Sequence, residues 1–122
     1  QRLAPAFEAV DVSGVRTWVG VAGTMTTLAA LVAGLDEYDP TRIHLSQASL
    51  TDLHRVCWDL VAMTREQRAA LGVMHPGRVD VIGAGALVTD ELSRQMSSRS
   101  GVTELVVSEH DILDGIALNL LD

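Results

Sequence analysis

Val15, Thr17, Val19 and Val21 alternate with Arg16, Trp18 and Gly20, the two-residue period of a pleated strand. Directly afterwards Met25, Leu28, Val32 and Leu35 fall on one face of a helix, and the period changes at Ala22-Gly23-Thr24. The pattern predicts a strand over 15–21, a tight turn, and a helix that stops near Gly34. Upstream, Leu3, Phe7 and Val10 share one helical face, with the turn residues Asp11-Val12-Ser13-Gly14 before the strand.

The polar stretch Asp36-Glu37-Tyr38-Asp39-Pro40-Thr41 reads as a loop that carries charge and little else, since Pro40 biases Asp39 away from helix. Ser49 followed by Asp52 has the form of a helix start, and Leu50, Leu53, Cys57 and Leu60 then predict a helix over about 50–63. Thr64 and Gln67 repeat the start signal ahead of a second short helix, with Gly72 as its stop. These two helices read as an insertion over about 45–74 that covers the sheet. Val79-Asp80-Val81-Ile82-Gly83-Ala84-Gly85 has the outline of a strand entering a dinucleotide-binding turn, with Glu109 near the distance of a ribose-binding acid. Val88 stands where that fingerprint wants a small residue. Residues 102–107 form an apolar, β-branched run expected as a buried parallel strand, and Asp111 with Asp114 opens a last helix through Ile112, Ile116 and Leu120.

Strands alternating with helices imply an α/β fold with a parallel sheet, whose ligands lie beyond the carboxyl ends of the strands. The glycine turn and Ser108-Glu109 both fall at such ends. Two strands make a small sheet, so further strands from upstream or from another chain are expected to complete it.

The 122 residues suit one domain, and a 48% hydrophobic content suffices for a core. All nine basic residues are arginine and the net charge is −7, so nucleic acid and anionic membrane are not expected partners. No apolar run approaches a bilayer span and Gln1-Arg2-Leu3-Ala4-Pro5 lacks a signal-peptide core, which points to the cytoplasm. The chain has no initiator Met and opens inside a helical pattern, as a piece of a longer protein would. Cys57 cannot form an internal disulfide and reads as a small buried apolar residue. His44, His54, His75 and His110 show no metal-ligand spacing, so no histidine-bound metal is expected. Ser108 lacks the glycines of a nucleophile elbow and reads as a strand-end hydrogen-bonding residue.

A strand-to-helix turn of small residues lets an anion approach the N–H groups of a helix N-terminus, where the macrodipole also favours negative charge. Gly20, Ala22, Gly23 and Thr24 are therefore candidate phosphate-binding residues. Glu109 could position a water or magnesium, although a carboxylate complementing a helix dipole explains it equally well.

Three motifs follow in order: Gly20-Val21-Ala22-Gly23-Thr24; His75-Pro76-Gly77-Arg78-Val79-Asp80-Val81-Ile82 with Gly85-Ala86-Leu87; and Leu105-Val106-Val107-Ser108-Glu109 with Leu113-Asp114-Gly115-Ile116. Together they resemble the C-terminal half of the exopolyphosphatase and guanosine pentaphosphate phosphatase family, which shares the ribonuclease H-like fold of actin, hexokinase and the Hsp70 ATPase. The resemblance implies one long helix from near Pro76 or Gly77, with Gly83, Gly85 and Ala86 admitting a close neighbour. It implies that Arg78 faces the phosphate cleft, where a guanidinium can hold phosphate bidentately. It also implies a two-domain, homodimeric parent that cleaves polyphosphate or guanosine pentaphosphate with magnesium and a glutamate base. That base and the Asp-x-Gly-Gly-type loops are absent from this sequence. A single partial domain with one wall of the active site is expected, inactive alone. The alternative is a noncatalytic module that binds guanosine tetraphosphate or polyphosphate.

Overall fold

In the computed structural model, which describes residues 3–110, the middle strand of the sheet is β3, Glu104–Val107. Leu105 and Val107 are fully buried while Glu104 is exposed, so one face of the strand enters the core. β1 (Trp18–Gly20) pairs with it in parallel, Trp18 opposite Leu105 and Gly20 opposite Val107. On its other side lies β2 (Ser46–Ser49), which pairs antiparallel, Ser46 opposite Val107 and Ser49 opposite Glu104. The sheet is therefore mixed, in the order β1-β3-β2.

The two expected strands pair in parallel as expected, and the antiparallel third strand, β2, corrects the expectation of an all-parallel sheet. Ser46-Gln47-Ala48-Ser49 carries no β-branched or aromatic residue, and only pairing with β3 makes it a strand. The region 45–74 accordingly opens with a strand that joins the sheet, and its helices follow.

Around the sheet run α1 (Ala4–Ala9), α2 (Ala22–Val32), α3 (Pro40–Ile43), α4 (Leu50–Ala62), α5 (Arg65–Ala69) and α6 (Ile82–Ser100). The start signals act as the sequence suggests. The Ser49 hydroxyl accepts from Asp52 N–H, and Thr64 and Gln67 form a reciprocal capping box on α5. α3 is a short helix inside the stretch expected to be loop; Asp39 stays extended, as the following proline requires, and its side chain caps Thr41 N–H.

A 3-10 turn, Pro76–Arg78, precedes α6, so the long helix starts at Ile82 rather than near residue 76. Gly83 and Gly85 lie inside α6, which removes the dinucleotide-turn reading: neither sits between a strand and a helix. Both are close-approach residues, since a Cβ at Gly85 would lie 2.9 Å from Thr24 Cγ2 of α2 and one at Gly83 would lie 2.9 Å from the Arg68 guanidinium. Arg68 Nε in turn donates to the Leu60 carbonyl at 2.9 Å, closing the end of α4.

Leu28, Ile43, Leu53, Leu60, Ile82, Leu105 and Val107 are fully buried and form the centre of the core between α2, α4, α6 and the sheet. Each contributes about 1.5–3 kcal/mol through apolar burial. The helix expected over residues 111–122 lies outside the described residues.

Candidate phosphate cleft

At the end of β1 the chain turns through Ala22, whose φ of 71° lies in the left-handed region, and enters α2. A non-glycine residue there costs roughly 1–2 kcal/mol, so the surrounding packing holds the turn. Gly20 ends β1 buried against Met25 and Leu105. Thr27 Oγ1 donates to the Gly23 carbonyl at 2.8 Å and Thr26 Oγ1 at 3.2 Å, anchoring the first turn of α2 from within.

The Arg78 guanidinium lies directly over Gly23: a Cβ at residue 23 would overlap it. The 3-10 turn delivers Arg78 to this place, and His75 Nδ1 stabilises that turn by accepting from Gly77 N–H at 3.0 Å. Gly23 and Arg78 line a cavity of about 430 Å³ together with Thr26, Thr27, Tyr38, Gly72, Val73, Met74 and His75. Among the described residues Arg78 has no ion-pair partner. A half-buried guanidinium without a carboxylate, set over the start of an 11-residue helix, offers an anion both charge and helix dipole.

The sequence candidates are only partly brought together. Gly23 and Arg78 share the cavity wall. Gly20 and Ala22 shape the turn behind it, and the Thr24 side chain packs on Gly85 instead of lining the cavity. Glu109 stands at the end of β3, where its carboxylate accepts from Tyr38 Oη at 2.5 Å and its N–H donates to His44 Nδ1 at 3.1 Å.

Tyr38 escapes the sequence reading. It sits in the stretch expected to carry little but charge, yet it lines the cavity and binds Glu109. Its one sequence signal is being the sole tyrosine of the chain, inside a polar run. Burial and the hydrogen bond to Glu109 raise its pKa above the usual phenol value, so it is a donor at neutral pH. Ser108 exchanges hydrogen bonds with the His110 backbone at 3.0 and 3.1 Å. Among the described residues no group of three or more His, Cys, Asp or Glu is placed to hold a metal ion, and Glu109 is engaged by Tyr38.

A model of the Ppx/GppA phosphatase family matches residues 1–120. Exopolyphosphatase 2 of Mycobacterium tuberculosis is 58% identical over 120 residues, which cover 98% of this chain and 38% of that protein. A crystal structure of an exopolyphosphatase-like protein superposes with TM-score 0.91 at 38% identity, over 97% of this chain and 38% of the other. The Aquifex aeolicus member of the same family gives TM-score 0.76 at 24% identity, over 98% of this chain and 39% of that one. The present chain thus spans little more than a third of the length of these relatives. The small mixed-sheet α/β fold is that of the C-terminal part of their actin/Hsp70-type domain.

Proposed function

The chain belongs to the Ppx/GppA phosphatase family, and from that premise we propose that it supplies the phosphate-binding wall of a phosphohydrolase that releases terminal phosphate from inorganic polyphosphate. The observation that carries this reading is the Arg78 guanidinium, free of any described carboxylate, packed on Gly23 at the start of α2 beside a 430 Å³ cavity. A linear phosphoanhydride needs this kind of support. Its transition state spreads negative charge over the transferred phosphoryl oxygens, and positioning with charge neutralisation supplies most of the catalysis.

In this reading the turn through Ala22 and Gly23 presents backbone N–H groups to the phosphate and Arg78 holds it from the other side. The water that attacks phosphorus, and the base that takes its proton, fall to the part of the protein that this chain lacks. Magnesium is the expected counter-ion, held by substrate and by that other part; we assign it to no residue here.

Guanosine pentaphosphate is a second substrate, and Val73 and Met74 beside Tyr38 favour it by giving the cavity an apolar wall suited to a base. The same wall favours the alternative of a noncatalytic module that binds guanosine tetraphosphate. A homodimeric parent completes the proposal.

The test is phosphate release from polyphosphate and guanosine pentaphosphate, with magnesium, by the full-length protein and its Arg78→Ala variant. Loss of a charge-assisted phosphate contact should lower the rate roughly a hundredfold, equivalent to about 3 kcal/mol. Binding of either compound without release by the wild type would move the assignment to the regulatory module.

A further inference from the structure

Tyr38 shares the cavity wall with Arg78 and donates its hydroxyl to Glu109, yet Glu109 and Arg78 form no ion pair with each other. Tyr38 lines the cavity and Glu109 does not. The phenol thus ties the carboxylate from the cavity wall that it shares with Arg78. We propose that Tyr38 is a positioning residue: by donating to Glu109 it holds that carboxylate at the end of β3 and keeps it from neutralising Arg78, leaving the guanidinium free for phosphate.

The inference rests on the phosphate-binding reading of the cleft. By ordinary electrostatics a carboxylate that reaches a half-buried guanidinium pairs with it, and the pair attracts an incoming phosphate far less than the cation alone. Tyr38 can hold Glu109 because its hydroxyl stays protonated and because the Glu109 backbone has an anchor of its own. That anchor is the hydrogen bond from the Glu109 N–H to His44, which fixes the backbone from which the side chain projects. The segment that bears Tyr38 is itself pinned: Gly72 packs so closely on the Asp36 carbonyl that a Cβ there would overlap it. The phenol is therefore presented from a fixed strap rather than from a free loop.

The experiment is calorimetric titration of the full-length protein with metal-free tripolyphosphate, for wild type, Tyr38→Phe, Glu109→Gln, the double variant and Arg78→Ala. Tyr38→Phe should weaken binding roughly fivefold, the value of one modest ion pair that must be broken. Glu109→Gln should bind at least as tightly as wild type, and adding it to Tyr38→Phe should restore the affinity, because no carboxylate remains to quench Arg78. A merely structural role for the phenol would not be rescued by the second change. The inference is overturned by unchanged affinity in Tyr38→Phe, or by a double variant as weak as the single one. If Tyr38→Phe fails to fold, weaker binding by Glu109→Gln alone overturns it and tighter binding supports it. Arg78→Ala separates the two levels: if it binds as wild type does, the phosphate-binding reading falls, whereas if it loses binding and Tyr38→Phe does not, only the role of Tyr38 falls.

Discussion

Gly23 leaves no room for a side chain because the space belongs to the Arg78 guanidinium. Gly23→Ala should therefore displace that group, and since the clash is with the flexible end of an arginine, the fold should lose less than about 1 kcal/mol. The expected signature is a melting temperature near wild type together with weakened tripolyphosphate binding; a large fall in melting temperature would contradict this account. Cys57 supplies a contrasting case of a reactive group kept silent. Burial, with a smaller contribution from the Asp90 charge, pushes its thiol up to about 12, so the native protein should resist a thiol reagent at pH 8 and react fully in denaturant. The unfolded thiol ionises near its ordinary value of 9.0 while the folded one stays protonated until about 12. The folded state thus holds the extra proton between those values, and stability present below pH 9 is lost as the pH rises through that window. Tyr38, also raised, adds a loss of the same sign above the ordinary phenol value of 10.0. A thermal-melt series over alkaline pH checks the direction.

Among the helices, α4 and α6 pack most extensively, and a buried carboxylate lies between them. Asp90 of α6 meets His54 Nδ1 at 2.6 Å and accepts from Trp58 Nε1 at 3.1 Å, both on α4, and from Arg94 Nη2 at 2.9 Å. These partners satisfy the carboxylate that the core would otherwise penalise. Asp90→Ala should cost about 2 kcal/mol, since it breaks both interhelix hydrogen bonds and leaves a small void; the urea midpoint reads it, and an unchanged midpoint would show that apolar packing alone holds the helices. The apolar stripe of α4 and the caps at Ser49 and Thr64 were legible because local signals encode them. Asp90 was not, because its burial depends on donors 36 and 32 residues away along the chain. β2 was hidden for a related reason: the chain enters it through Leu45 at φ 61°, a left-handed turn without glycine, and its residues have weak strand preference. Gly83 and Gly85 illustrate the reverse ambiguity, since small residues serve a phosphate turn and a close helix contact alike, and only the neighbouring Arg68 and Thr24 decide between them.

Across the molecule, the cleft brings together a cation and a strained turn, and no carboxylate is among its described lining residues. The Glu109 carboxylate is committed to the Tyr38 hydroxyl. β1 lies at one end of the three-stranded sheet, with Val19 and Val21 each about half exposed, and the relatives carry more than half of their length beyond the matched region. Binding and turnover should therefore separate. The 122-residue chain should bind tripolyphosphate through Arg78 and release no phosphate from it above the buffer rate, with or without magnesium. The net charge of −7 opposes a polyanion at long range while Arg78 attracts it at contact, so moderate salt should weaken this binding less than it weakens ligand capture by a basic surface. Titration and a phosphate-release assay on the same preparation test both halves. Release at a rate typical of an enzyme would place a base within this chain, and Glu109, freed from Tyr38, would then be the residue to replace; binding without release would leave the attacking water and its base to the remainder of the protein.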